Sequence, residues 1–548
     1  MNQKKILGGA VGDCVHVGGI VQFLRMAEDL GYLTEFTGPA TSIPAFIAAA
    51  HEVDPDIIGV SYRLTPENAR VLLEDLWQAV QEAGLSRKRF VFGGTPPVAA
   101  IARELGWFEA VFDGTAPPEA VVAYLKGTPL EEMQAEDYPQ TTVERIGWKA
   151  PYPILRHHFG IPAESIKPTV EGIRRIAEAG VLDIVSLGPD QDAQENFFHP
   201  ERLDPKSKGA GGVPFRTEED LRRLYEATRR GNYPLVRSYS GTADHLRYAD
   251  VLVRTINNAW CATSLFWFNV MDGRGPSPLE ESIREHMALM RWHGERGIPI
   301  EGNEPYHWGL RGGHDVVVCV ASYIYAYVAK KAGVRDYIST YMFETPPDLS
   351  NEMDLAKALA QAELAESFVD DDFRIWRQTR TGLLSYPVDP VRARAHLAES
   401  VYVQMAMHPS IVHVVGYTEA DHAVDADEAI ESCRMATQVI DTCLRGAPDL
   451  TVAPAVQRRK DELVSETMVI IDAIRQMGAE VSDDPLFDPA VLAQAVKIGL
   501  LDAPQLVNNP YALGQVRTRN VGGAIVAVNE QGRRLSEKER LERIRGRL

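Results

Sequence analysis

What most constrains this chain is a repeated exchange of periodicity. Within residues 1–127, short apolar runs (KKILGGAV, EFTG, DIIGVSY, RFVFGG, EAVFDG) alternate with longer stretches such as ENARVLLEDLWQAVQEAG and PPVAAIARELG, whose apolar residues recur every three or four positions. Runs of the first kind read as strands buried on both faces. The longer stretches read as amphipathic helices, opened by Pro or polar residues and closed by Gly. Five such units in succession predict a doubly wound parallel sheet. The alternation returns on a larger scale further on, in YPILRHHF, VLDIVSLGP, YPLVRSYSG, ATSLFWFNV, IPIEGNEPY, DYISTYMF, SYPVD and IVHVVGYTEA, with helical stretches such as EGIRRIAEAG and SIREHMALMRWHGERG between them. About eight βα units suit a (β/α)8 barrel, whose sites lie on loops at the strand C-termini.

The expected class is therefore α/β: a Rossmann-like domain over 1–127, a polar linker over 128–150, a TIM barrel over 151–450 and an α+β extension over 451–548. The extension opens on a long helix, RRKDELVSETMVIIDAIRQMGAE. Charge narrows the partners. With 57 Lys and Arg against 76 Asp and Glu, the net charge of -19 repels nucleic acid and anionic membrane, which leaves a small molecule as the expected ligand. No apolar stretch is long enough for a transmembrane helix. Asp13 and His16 interrupt the apolar N-terminus, so it reads as a strand and loop rather than a leader. Five cysteines, odd in number and without C-x-x-C spacing, suit reduced thiols in a cytoplasm better than a disulfide or zinc framework. A homodimer is the expected assembly.

The loop after the first strand, VGDCVHVGG, has neither GxGxxG nor a P-loop Lys with Ser or Thr, which argues against nucleotide binding. It offers Asp13 and His16 instead. A neutral imidazole is a good transition-metal ligand, and a carboxylate on its other nitrogen fixes the tautomer. The plainer alternative is a loop histidine near a helix start. Further signals stand at later strand ends: Ser61 and Leu64 in VSYRL, Gly93 and Gly94, and GTAPPEAV from Gly114 and Thr115. Together with His16-x-x-Gly19 they resemble the cobalamin-binding subunit of the adenosylcobalamin-dependent glutamate mutase family. The resemblance implies His16 as lower cobalt ligand, with Asp13, Gly19, Ser61, Leu64, Gly93, Gly94, Gly114 and Thr115 around the cofactor. Here Asp13 stands three residues before the histidine and Cys14 takes the family's Asp position.

A looser resemblance to the large mutase subunit covers most of residues 150–548, through YPLVRSYSGTAD, FNVMDGRGPSPLEESI, GNEPYHWG and the tail VKIGLLDAPQLVNNPYALGQVRTRNVGGAIVAVN. The chain thus looks like the two subunits fused, cobalamin domain first. The resemblance implies Arg156 and Arg237 as carboxylate-binding positions and puts Gln194 where a third arginine stands. The ammonium-binding glutamate falls near Ala262 or Thr263, and Asp272 takes a tyrosine position. Glu419 matches an adenosyl contact whose companion lysine is here Val415. Losing an arginine and a carboxylate argues against glutamate itself. A rim salt-bridge network is the plainer reading of Arg156, Arg237 and Glu419. His157, His158, Arg311, His314 and Asp315 are further charged or polar candidates, no metal beyond corrin cobalt is expected, and FWF at 266–268 reads as core packing. The function expected is an adenosylcobalamin-dependent mutase, an isomerase, acting on a small carboxylic or amino acid. The alternatives are corrinoid methyl transfer and a non-catalytic cobalamin carrier.

Overall fold

The apolar runs of the first 127 residues become the strands of one parallel sheet: β1 (Lys5–Ala10), β2 (Leu33–Phe36), β3 (Ile57–Ser61), β4 (Arg89–Gly93) and β5 (Ala110–Phe112). A computed structural model describes residues 4–116, 118–127, 135–204, 206 and 208–544, and the chain divides into two units, Met1–Asp137 and Tyr138–Leu548. In the first, the order β2-β1-β3-β4-β5 reverses direction between β1 and β3, the switch point at which open α/β sheets bind ligands. Local chemistry sets the helix ends. Thr65 caps Pro66–Glu82 by accepting from the Asn68 amide, and Gly106, at φ +71°, ends Pro96–Leu105 in a left-handed turn. Leu7, Ile58, Val60 and Phe92 from the strands pack on Leu73, Leu76 and Val98 from those helices.

The second unit holds eight parallel strands: β6 (Ile154–Phe159), β7 (Ile184–Leu187), β8 (Leu235–Arg237), β9 (Cys261–Thr263), β10 (Ile300–Gly302), β11 (Asp336–Met342), β12 (Arg374–Arg380) and β13 (Ile411–Val414). Each neighbours the next in sequence, β13 returns to β6, and a parallel bridge from Tyr239 to Ala262 joins the β8 and β9 edges. This is the expected barrel, with one strand corrected. SYPVD, expected as the seventh, is not a strand; RIWRQTR takes its place as β12. Its alternation is of polar and aromatic residues, so an apolar-run criterion passes over it. The fourth and fifth expected strands shorten to three residues each, and EPYHWGL is a helix, Glu304–Leu310.

Alternate residues of each strand point into the barrel and form layers. The floor is apolar: Ile154, Ile184, Leu235, Trp260, Ile338 and Ile411, with Trp376 against them. Beneath it lies part of the expected linker. Residues 128–134 are outside the described residues, but Thr142–Lys149 is a helix that plugs the barrel. Thr142 Oγ1 donates to Ala259 O at 2.7 Å, and the buried Arg145 donates to the carbonyls of Asn232 (3.2 Å) and Tyr233 (2.9 Å).

The C-terminal segment contains helices Pro454–Gly478, Pro489–Lys497 and Glu537–Ile544 and a hairpin, β14 (Arg517–Val521) with β15 (Ala524–Val528). It shares the barrel's core: Leu463, Ile470 and Ile474 pack with Val317, Ile324 and Val328. Two buried ion pairs fix it, His314 with Glu537 at 2.6 Å and Arg459 with Asp315 at 2.8 Å. Among the described residues no helix is long and apolar enough to cross a membrane.

Candidate functional sites at two sheet ends

In the first unit the candidate residues gather on loops at the C-terminal end of the sheet. His16 is exposed on the loop after β1, one turn before helix Gly18–Asp29, and no hydrogen bond or ion pair engages its ring among the described residues. Asp13 does not pair with it. The Asp13 carboxylate instead faces the buried Tyr62 hydroxyl, whose pKa is pushed up first by burial and second by that bond. The glycines fall into two kinds. A side chain at Gly19, Gly93 or Gly114 would meet no atom within 4 Å, whereas at Gly94 it would lie 2.6 Å from the Tyr62 carbonyl. Gly94 is thus required by packing, while the other three face open space, Gly114 in a left-handed backbone at φ +82°. Ser61 ends β3 buried, its carbonyl accepting from Val11 N at 3.2 Å, and Leu64 packs against the core. Thr115 donates from N and Oγ1 to Asp113 Oδ1 at 3.0 and 2.6 Å, which with Arg103 holds that carboxyl well below its usual range.

The second constellation fills the upper half of the barrel. Glu301, on β10, is buried and accepts from Arg156 Nη1 (2.9 Å), Arg237 Nη2 (2.9 Å), Trp260 Nε1 (2.6 Å) and Gln378 Nε2 (2.9 Å). Burial works against its charge, but the two guanidiniums and the indole N–H outweigh it and bring the carboxyl down to about 2. Arg156 also donates to Ser186 Oγ at 2.8 Å and Gln378 Oε1 at 3.0 Å. The two arginines expected to bind substrate carboxylate therefore already hold a protein carboxylate, and both are sealed, at 1% and 0% exposure. Arg237 keeps Nε and Nη1 unpartnered, with its guanidinium over the Tyr239 ring at 4.6 Å.

Above this layer stand His158, Tyr239, His413, Tyr306 and Arg380. His158 Nε2 lies 3.0 Å from Arg156 Nη2 and 3.1 Å from Tyr239 OH, and its ring contacts that of His413 at 4.8 Å. Burial, then the neighbouring guanidiniums, push both imidazoles well below their ordinary pKa, so they are neutral. Arg380 ends β12 at 5% exposure, with Nε donating to Thr381 O at 3.3 Å and the guanidinium 5.7 Å from the Tyr306 ring. Among the described residues no carboxylate lies within ion-pair distance of it; Glu419, exposed on the loop after β13, acts on it only at longer range.

The other expected positions lie around this mouth in different roles. Gln194, in the short helix Gln191–Glu195 after β7, donates to Pro189 O at 3.4 Å. Asp272 organises the loop after β9, accepting from the amides of Phe268 and Asn269 and from Arg274 and Arg311. Arg311 covers Trp267, and Phe266 and Trp267 are fully buried, as core packing requires. His157 points out of the barrel, opposite His158, and burial lowers it to about 4. Ala262 and Thr263 lie buried in β9, and Val415 is buried with its carbonyl accepting from Tyr386 OH at 2.9 Å. At the rim, Glu344, His396 and Glu399 bring possible ligand atoms within 4.8 Å of one another. His396 is held up by its Glu344 bond, which makes the pair an ordinary ion pair.

Glu301, Gln378 and Arg380 were not among the residues expected. The available signal was the alternation W-x-Q-x-R in a run of strand length, where side chains two apart share a face.

No family model matches the chain, and no curated protein matches it. Among solved structures, a cobalamin-binding protein from Desulfitobacterium hafniense is similar at 23% identity over 20% of this chain and 53% of that one, with a TM-score of 0.19. The match thus spans about half of that neighbour's length. A phospho-2-dehydro-3-deoxyheptonate aldolase from Thermotoga maritima matches at 11% identity over 54% of this chain and 70% of its own, TM-score 0.33. The Amycolatopsis orientalis BexX/CysO complex matches at 12% identity over 57% of this chain and 98% of its own, TM-score 0.30.

Proposed function

We propose that this chain is a corrinoid-dependent enzyme that rearranges a small carboxylic acid, with His16 as the lower cobalt ligand and adenosylcobalamin as the cofactor. The observation that carries the reading is the exposed imidazole of His16, its ring unengaged among the described residues, at the same sheet end as Gly19, Gly93 and Gly114, where a side chain would meet open space. A large flat ligand needs that absence of Cβ atoms to approach the backbone. The donor set fits the group: a loop imidazole free to coordinate, at the switch point of a parallel sheet.

When bound, an adenosyl corrinoid supplies a cobalt–carbon bond that breaks homolytically. The chain's own residues would do the rest. His16 would ligate the metal. Gly19, Gly93 and Gly114 would leave room for the ring and its tail, and Thr115 would be kept in place by Asp113. In the barrel, neutral His158 and His413 and the Tyr239 and Tyr306 hydroxyls offer hydrogen bonds without adding charge. The Arg156–Glu301–Arg237 layer forms a rigid polar base beneath them. The absence of a spare buried carboxylate fits an acid better than glutamate, since Glu301 is fully engaged and Glu304 already accepts from Ser264, Leu265, Phe266 and Trp308.

The test is an anaerobic titration of the full chain with adenosylcobalamin, followed by absorption and paramagnetic resonance. Binding with the cofactor's own base displaced and a histidine nitrogen on cobalt, abolished in His16→Ala, is the expected result. No binding, or binding indifferent to the substitution, refutes the reading. Isotope exchange between added carboxylic acids and the cofactor's 5′ carbon then separates an isomerase from a carrier.

A further inference from the structure

A buried cation without a counter-ion is costly, and in most folds it is avoided or its owner is replaced by an apolar residue. Arg380 is such a cation. It ends β12 inside the barrel, at the face where barrel enzymes bind substrate. Only its Nε has a protein acceptor, the Thr381 carbonyl. The contrast with its neighbours is sharp: Arg156 and Arg237 share Glu301, Arg311 reaches Asp272, and Arg377, next but two in the same strand and pointing out, is held by both oxygens of Glu366 at 2.6 and 2.8 Å. Nη1 and Nη2 of Arg380 are not among the sealed, unpartnered atoms of the barrel, so they keep some solvent contact at the end of β12.

We infer that the Nη1–Nη2 edge of Arg380 anchors the substrate carboxylate. This deepens the function proposed above and rests on it. Two parallel N–H groups match the two oxygens of a carboxylate, a geometry that a lysine cannot reproduce. The surroundings favour one anion. In these layers Arg156 and Arg237 share Glu301, and Arg380 is met by Glu419 only at longer range, while His158 and His413 are held neutral. The surplus of positive charge falls to Arg380 because Arg156 and Arg237 both pair with Glu301 and are sealed from the mouth. Tyr306 flanks the guanidinium with a ring face and His307 lies close by, its Nε2 buried and unpartnered. A small acid held by Arg380 would place its other end toward that nitrogen and the Tyr306 hydroxyl, so the class implied is a short carboxylate with a second polar group a few bonds away.

The experiment uses the full chain without corrinoid and a panel of probes: acetate, succinate, glutarate, 2-oxoglutarate and glutamate, followed by titration calorimetry. Wild type is expected to bind at least one, Arg380→Met to lose about tenfold to a hundredfold in affinity for it, and Arg380→Lys to recover only part. A second readout does not depend on choosing the right acid. Removing an uncompensated buried charge stabilises, so Arg380→Met is expected to melt about 2–4 °C higher than wild type, whereas an arginine serving structure would melt lower. Unchanged affinity in Arg380→Met, or a lowered melting temperature, overturns the inference. Corrinoid titration of the same variants keeps the two ideas apart: His16→Ala should lose corrinoid and keep acid binding, and Arg380→Met the reverse.

Discussion

The two sheet ends are equipped in opposite ways. At the end of the first sheet the protein has left space: the His16 ring has no partner among the described residues, and side chains at Gly19, Gly93 and Gly114 would meet no atom within 4 Å. Inside the barrel a buried charge layer is built instead, with Glu301 taking four donors at 2.6–2.9 Å, while Arg380 has no carboxylate within ion-pair distance among the described residues. The difference teaches what each end can recognise. On the function proposed above, a bulky, flat ligand would be admitted by missing side chains, and a small charged one by a charge held rigid and unsatisfied.

The largest effect that would test this contrast is acid. Burial lowers His157 and His293 to about 4 and His286 to about 3, all in the barrel unit. A histidine that binds its proton more weakly folded than unfolded stabilises fully above the unfolded pKa, near 6.5. That stability is lost progressively as pH falls toward the folded value, so the loss should begin near pH 6.5. By pH 5 it should amount to several kcal/mol, of the order of 2 for each histidine. Glu301, lowered to about 2, adds a loss of the same sign below about pH 4.5. Guanidinium midpoints measured from pH 7.5 to 4 check it, and a flat profile would show that these imidazoles are not truly withdrawn from water.

Next comes Glu301→Gln, which keeps shape but strands Arg156 and Arg237; it should cost about 3–5 kcal/mol in equilibrium unfolding. An unchanged midpoint would mean that the barrel's charge layer is solvated rather than sealed. Smaller, and sharper for the sheet end, is a glycine pair. Gly94→Ala forces a methyl toward the Tyr62 carbonyl and should cost about 1–3 kcal/mol, while Gly93→Ala should stay within about 0.5 kcal/mol in stability yet weaken corrinoid binding. Equal stability costs would erase the distinction between a glycine kept for packing and one kept for a ligand. The smallest effect expected is that of Asp13→Asn. Because Asp13 faces Tyr62 and not His16, corrinoid affinity should change by less than the roughly tenfold that losing a ligand's hydrogen-bonding partner produces, and the Tyr62 phenol should titrate lower.

Much of this fold was legible in the sequence. The alternation of apolar runs and amphipathic stretches predicts all five strands of the first sheet and seven of the barrel's eight. The eighth, RIWRQTR, escaped because the residues that face the interior, Gln378 and Arg380, are polar for the sake of the site they build. The expected linker hid a helix for a related reason: of its buried members only Ile146 is apolar, while Thr142 and Arg145 satisfy barrel carbonyls, so its burial carries little apolar signature. Of the candidate site, His16 and Gly19 could be picked out because they stand three residues apart, and Gly93, Gly94 and Gly114 because each lies at or just after the end of a strand that the pattern predicts.

By itself the sequence determined which segments are strands and helices, and hence that two parallel sheets present their loops at one end, because periodicity is a local property of adjacent residues. Only the tertiary structure decided which charges meet. Glu301 finds Arg156 across 145 positions and Arg237 across 64, and Arg380 finds no carboxylate within ion-pair distance among the described residues. Closing a barrel brings alternate residues of distant strands into one layer, and electrostatic energy depends on those distances in space, on which the order of residues is silent.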